Sequence, residues 1–337
     1  MSLKNSSEEY NKICERRRIL KPLVVVVVGP TACGKSSLAV QIAKALDGEV
    51  ISADSMQIYK RMDIATAKVT PVEADGIVHH LIDFVEPWES FSVARYKELA
   101  LECIEDILRR KKLPIIAGGT GFYVDTVINN TCFLDYEKSD IRERLLKRLE
   151  AEGCEALYNE LLNLDRDSAE IIHINDSKRI IRALELYYST GFTMSRQREL
   201  SHLEESSYNF CIIGLNAENR QFLYDRINRR VDLMLENGLL EEAERFFAEE
   251  YSSTAKQAIG YKELEPFLNG EISLKEATEN LKRETRRYAK RQLSWFRRNE
   301  KINWLYIDKE SSDSLLRKSL EIIDRFKGEA NEEIQRL

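Results

Sequence analysis

The pattern of apolar and polar positions changes character along the chain. Leu23–Val28 is an unbroken, β-branched run, the mark of a short strand buried on both faces. Residues 36–46 take a helical period, with Leu38, Ile42 and Ala45 on one side. Residues 49–52 read as a second strand and 114–117 as a third. Between them residues 91–110 form an amphipathic helix, with Ser92 placed to cap its first turn. Strand and helix alternating in this way predict a parallel sheet with helices on both faces. From 139 to 202 the strand signal stops and a charged helical period takes over. An apolar run at 210–215 returns to the sheet, long helices follow at 220–250 and 274–298, and 304–307 is a last short strand. The expected division is a discontinuous α/β core at 21–130 and 210–310, a helical insertion at 131–209, and peripheral tails at 1–20, a possible helical leader, and 311–337.

Composition narrows the classes without choosing one. The 337 residues carry a net charge of −6, which excludes a globally basic nucleic-acid binder but not a local basic face. The six cysteines are scattered and form no CxxC or Cys/His cluster, which suits a reducing compartment and argues against zinc. His79-His80 has no third ligand at a familiar metal spacing. The first residues, MSLKNSSEEYNK, lack the apolar stretch of a secretory signal, and the longest apolar run is too short to span a membrane. A cytoplasmic, monomeric protein without membrane contact is expected.

The chemistry begins after the first strand. Gly29-Pro30-Thr31-Ala32-Cys33-Gly34-Lys35-Ser36, followed by Ser37, satisfies G-x-x-x-x-G-K-[ST] between a strand and a helix. Such a loop turns backbone N–H groups and a helix N-terminus toward phosphate. Lys35 adds a point charge and Ser36 a hydroxyl suited to Mg²⁺. Cys33 reads as a small loop residue rather than a nucleophile. The motif does not name its ligand. An NTPase would show a strand ending in a magnesium-binding Asp, whereas LPIIAGGTG ends in glycines that serve either a tight turn or close approach of a substrate. Asp54 follows the second strand, at the same carboxyl edge as the phosphate loop. Locally it fits a proton acceptor and an Asx turn equally well.

The ordered segments GPTACGKS, SADSMQIY, DIATAK, HHLID, FSVARY, GGTGFY, NDSKRIIRALE, DRINRRVDLM, QAIGYKE and TRRYAKRQLSWFR resemble the tRNA dimethylallyltransferase family over residues 24–307. Ala65 stands where that family usually has glycine, and Val78 where it usually has proline. The resemblance implies a P-loop α/β core and transfer of a dimethylallyl group from its diphosphate to N6 of the adenosine beside the anticodon, position 37. It implies Asp54 as base, Thr31 near the bridging oxygen, and Arg230 on the diphosphate. Residues 29–37 would cradle the diphosphate with Mg²⁺ at Ser36. Ser55, Met56, Gln57, Thr120, Gln257, Gly260 and Tyr261 would frame the nucleotide. A tRNA anticodon stem-loop also needs a basic surface. Arg142, Lys178, Arg179 and Arg182 supply one candidate, and residues 282–298, with eight bases and one acid, supply another through Arg287, Lys290 and Arg291. The alternatives are an adenylate isopentenyltransferase, which needs no anticodon surface, and a small-molecule kinase on the same core. A non-catalytic RNA-binding module is a third.

Overall fold

The computed structural model describes residues 21–134, 140–203 and 205–336. The expected leader at 1–20 and the start of the helical region at Ser139 lie outside the described residues. Cα packing divides the chain into two compact units, 128–206 and the remainder.

The larger unit is built on a six-stranded, all-parallel sheet. Strand β1 (Leu23–Val28) leads into helix α1 (Lys35–Leu46), β2 (Gly48–Ser52), the short α2 (Pro71–Ala74) and β3 (His79–His80). Then come α3 (Val93–Arg109), β4 (Leu113–Gly118) and α4 (Gly121–Ile128). After the second unit the chain returns as β5 (Asn209–Asn216), α10 (Arg220–Glu236), α11 (Leu239–Ala248), α12 (Tyr261–Leu268), α13 (Leu274–Phe296), β6 (Asn303–Tyr306) and α14 (Ser312–Arg336). The spatial order is β3-β2-β4-β1-β5-β6, so the valine strand is central and fully enclosed. That explains the continuous β-branched run, because a central parallel strand has no polar face to show. Val28 pairs with both Gly118 and Gly214, which brings the carboxyl ends of three strands together.

Local signals set most helix ends. Ser92 caps α3 by accepting the Arg95 N–H at 3.1 Å, and Ser273 caps α13 through the Glu276 N–H at 3.2 Å. Two expectations are corrected, and one strand that was not read is added. The helix read across 220–250 is two helices, broken at Asn237-Gly238, where Gly238 has φ 95°. His79-His80 is an edge strand on β2, too short for any pattern to reveal. The C-terminal segment read as peripheral is a helix packed on α1 and β5, with Leu315 and Ile323 inside the main core.

The second unit is all helical: α5 (Ile141–Glu152), α6 (Cys154–Leu164), α7 (Arg166–Ile171), α8 (Ser177–Thr190) and α9 (Met194–Leu203). Its own core gathers Leu145, Leu157, Leu161, Ile180, Ile181 and Leu184. Asp176 caps α8 through the Arg179 N–H at 3.2 Å, and Gly191, at φ 75°, ends it.

Candidate active site

The carboxyl edge of the sheet opens on a cavity of about 270 Å³. The phosphate loop forms one side. Gly34, at φ 90°, turns the chain into α1, so that Lys35 and Ser36 stand at the helix's positive end. Thr31, Lys35 and Ser36 face the cavity, while Gly29, Pro30, Ala32, Cys33, Gly34 and Ser37 frame the loop behind or beside it. Lys35 Nζ folds back to donate to Pro30 O at 2.8 Å. Cys33 is buried, and burial pushes its thiol up, away from the reactive thiolate.

The second side comes from the loop after β2. Asp54 accepts the Met56 N–H at 2.9 Å through Oδ1, which closes an Asx turn, and the residue also lines the cavity. The two readings of Asp54 are therefore compatible: one carboxylate oxygen shapes the turn, and a carboxylate has a second. Thr120 accepts the Ser55 N–H at 3.0 Å, tying this loop to the glycine turn after β4. Gly118 is needed there because a Cβ would sit 2.1 Å from the Ala53 carbonyl oxygen. Gln57 lines the cavity and donates to the Thr66 and Ala67 carbonyls, both at 3.0 Å, so it also holds the next loop in place.

That loop is pinned from beneath by a residue the sequence did not single out. The buried Glu242 carboxylate accepts the N–H groups of Asp63, Ile64 and Ala65 at 2.8–2.9 Å and the Tyr261 hydroxyl at 2.8 Å. Ala65 keeps a negative φ, so alanine is accommodated where glycine was the usual expectation; it abuts Gly260. Tyr261 is thereby corrected. It is 1 % exposed and stacked on Phe246 in the core, whereas Gln257 and Gly260 do line the cavity.

The far wall comes from α10 and α13. Arg230, Val231 and Met234 project from one, and Leu281, Thr285, Tyr288, Arg291 and Gln292 from the other. Burial pulls the Arg230 guanidinium down from its ordinary value, and the Asp54 carboxylate opposes that shift. Val231, Met234 and Leu281 give this wall an apolar patch, which Ala258 and Ile259 extend from the loop before α12. Arg287 and Lys290 are exposed outside the cavity, and Arg287 donates to Glu284 at 2.6 Å. In the helical unit Arg142 and Arg182 both reach Glu185, at 3.0 and 3.2 Å. Arg179 pairs with Asp176, and Lys178 is exposed.

Gln292 and Tyr288 escaped the sequence reading. A signal was available for Gln292: it is a polar residue on the α13 stripe that also buries Leu281, Ala289 and Phe296.

The sequence profile described as IPP transferase matches residues 57–299, more than half the chain. The chain belongs to the IPP transferase family. A profile described as isopentenyl transferase matches residues 22–83. A tRNA dimethylallyltransferase of Caldanaerobacter subterraneus is 50 % identical over 301 residues, 88 % of this chain and 96 % of that one. One from Acetivibrio thermocellus is 50 % identical over 300 residues, with the same shares covered. The solved tRNA isopentenylpyrophosphate transferase of Bacillus halodurans is 42 % identical, with a TM-score of 0.69 over 93 % of this chain and 98 % of that one. A eukaryotic dimethylallyltransferase solved acting on tRNA is 33 % identical, with a TM-score of 0.72 over 85 % of this chain and 74 % of that one.

Proposed function

We propose that the chain transfers a dimethylallyl group from dimethylallyl diphosphate to N6 of adenosine 37 in tRNA, releasing diphosphate. The observation that carries this reading is a cavity that joins a phosphate loop, the Asp54 carboxylate and an apolar patch of Val231, Met234, Ala258, Ile259 and Leu281. An allylic diphosphate offers those three kinds of surface a matching partner each.

The diphosphate belongs on Thr31, Lys35 and Ser36. Lys35 exchanges the Pro30 carbonyl for the leaving group, and the positive end of α1 and Arg230 add to the field on it. The five-carbon chain lies against Val231, Met234, Ala258, Ile259 and Leu281, which exclude water from the reacting carbon. The adenine, extruded from the anticodon loop at a cost of a few kcal/mol, enters from the Asp54 side. Its N6 attacks as the C–O bond breaks, and the free oxygen of Asp54 takes the N6 proton. The bonding electrons leave with the diphosphate.

Ser36 fits a magnesium ion. Its hydroxyl is a hard oxygen at the cavity, and magnesium needs few protein ligands when phosphate oxygens and water complete its shell. When bound, the ion neutralises charge on the departing diphosphate.

The test is direct. Labelled dimethylallyl diphosphate, Mg²⁺ and either unmodified tRNA or AMP are incubated with the protein. Label on tRNA at A37 is expected. Label on AMP, or ATP consumed in step with product, overturns the reading.

A further inference from the structure

Two loops must hold the reacting partners at a fixed separation: the phosphate loop at Thr31 and the base-binding loop at Asp54. They follow different strands, β1 and β2, and β4 lies between those strands in the sheet. The described contacts show one buried side chain spanning the gap. Gln292 of α13 is 5 % exposed and lines the cavity. Its Oε1 accepts the Thr31 N–H at 2.8 Å, and its Nε2 donates to the Gly119 carbonyl at 2.9 Å. The amide orientation is forced, because Thr31 N–H can only donate and Gly119 O can only accept. Room for it exists because residue 119 has no side chain; a Cβ there would lie 2.2 Å from Nε2. The next residue, Thr120, accepts the Ser55 N–H at 3.0 Å, beside Asp54. A continuous chain of contacts thus runs from Thr31 through Gln292, Gly119, Thr120 and Ser55 to Asp54.

We infer that Gln292 is a positioning residue that sets the separation between the phosphate loop and the Asp54 loop. The inference rests on the prenyl-transfer reading. Its physical content is narrow: both halves of the amide are needed at once, one to accept and one to donate. Gln292 acts through Thr31 and the Asp54 loop rather than on the reacting atoms. Its loss loosens alignment, and misplacement by about 1 Å costs on the order of 10²-fold in rate.

Two variants test this. Gln292→Met keeps length and flexibility but makes neither hydrogen bond. Its single-turnover rate is expected to fall about 10- to 100-fold, with tRNA affinity within threefold of wild type. Gln292→Glu is the sharper probe. A protonated carboxyl can accept from Thr31 and donate to Gly119, as the amide does; an ionised one cannot donate and faces a carbonyl oxygen. Burial raises a carboxyl pKa. The charged and titratable groups around it are Tyr288 and Arg291 on its own helix, and Lys35, Asp54 and Arg230 across the cavity. The ratio of Gln292→Glu to wild-type rate is therefore expected to rise as pH falls from about 8 to about 6, because protonation restores the donor. Dividing by the wild-type rate at each pH removes the pH effects common to both proteins. A ratio flat with pH, or full activity in Gln292→Met, overturns the inference. Wild-type transfer to tRNA reports separately on the function, so failure there is distinguishable from failure here.

Discussion

Helices α8 and α13 look alike as sequence. Both are amphipathic, both are capped by a side-chain oxygen, and both carry runs of arginine. The structure treats their charges differently. In α8 the arginines are met by acids of their own unit: Arg182 shares Glu185 with Arg142, and Arg179 meets Asp176. In α13 several cations are also used within the protein, Lys282 on Asp232, Arg286 on Asn228 and Arg287 on Glu284. Arg291 is placed differently. It lies with its guanidinium 5.6 Å from the Tyr288 ring centre and lines the cavity. A count of bases along a helix therefore says little about the field an RNA would meet; what each guanidinium already touches says more.

The largest expected effect tests the cavity itself, against which both helices are measured. Asp54→Asn keeps the Asx turn, since an amide oxygen still accepts the Met56 N–H, and removes the base. Turnover on bound tRNA is expected to fall about 10²–10⁴-fold, with tRNA affinity little changed. A single-turnover rate within tenfold of wild type would remove Asp54 from the mechanism.

Next is a contrast in how the two units hold charge. The core buries Glu49 beneath Arg110, His80 and Lys112, and the Arg110 hydrogen bonds hold its carboxyl down at about 2, against an ordinary 4.5. The folded pKa is depressed, so this stabilisation is complete above about pH 4.5 and is lost as pH falls toward 2. The helical unit carries more exposed pairs such as Arg148–Glu152, and such pairs contribute little. Thermal midpoints measured from pH 7 to pH 2.5 should therefore drop on the acid side. Glu49→Gln should be less stable at neutral pH and show a flatter acid limb. An unchanged limb in that variant would place the acid sensitivity elsewhere.

Much of this was legible in the sequence, for identifiable reasons. β1, α1 and the phosphate loop are contiguous and periodic, so pattern and motif coincide. The place of Asp54 at the cavity was legible by position, because open α/β sheets bind ligands at the carboxyl ends of their strands. Tyr261 was placed wrongly because a motif residue was read as a site residue; its neighbour Gly260 lines the cavity while the ring turns into the core. Glu242 was invisible because the loop it holds lies about 180 positions away; the burial of Gln292 was readable from its helix face, but its contact with Thr31, about 260 positions away, was not. The Arg142–Glu185 pair of the helical unit was missed for the same reason. Arg142 and Glu185 stand 43 residues apart, so the charge looked available until the fold joined them.

The third prediction separates two arginines that sequence alone makes equivalent. Arg287 and Arg291 are four apart on α13, yet only Arg291 lines the cavity. Arg287→Ala should weaken tRNA binding alone, reducing the salt slope of log K by about 0.7 for a single-stranded contact. Arg291→Ala should do the same and also slow turnover. Equal effects on turnover would mean that cavity lining is not what distinguishes them.

The smallest effect is expected on the helical unit. Replacing Arg142 and Arg182 with alanine removes two guanidiniums but also strips Glu185 of both partners, and Glu185 is only 14 % exposed at its side chain. The variant therefore combines a lost attraction for RNA with a newly uncompensated acid. Glu185→Gln separates the two. It releases both arginines and removes the competing carboxylate without deleting a cation. If α8 faces phosphate, Glu185→Gln should tighten tRNA binding by a small factor, about two- to fivefold, and steepen its salt dependence, since freed guanidiniums displace more counterions. The alanine pair should weaken binding by less than Arg291→Ala does. Binding titrations across a salt series decide the matter: an unchanged slope in both variants would mean that these arginines serve the fold of the helical unit, with Glu185 as their intended partner.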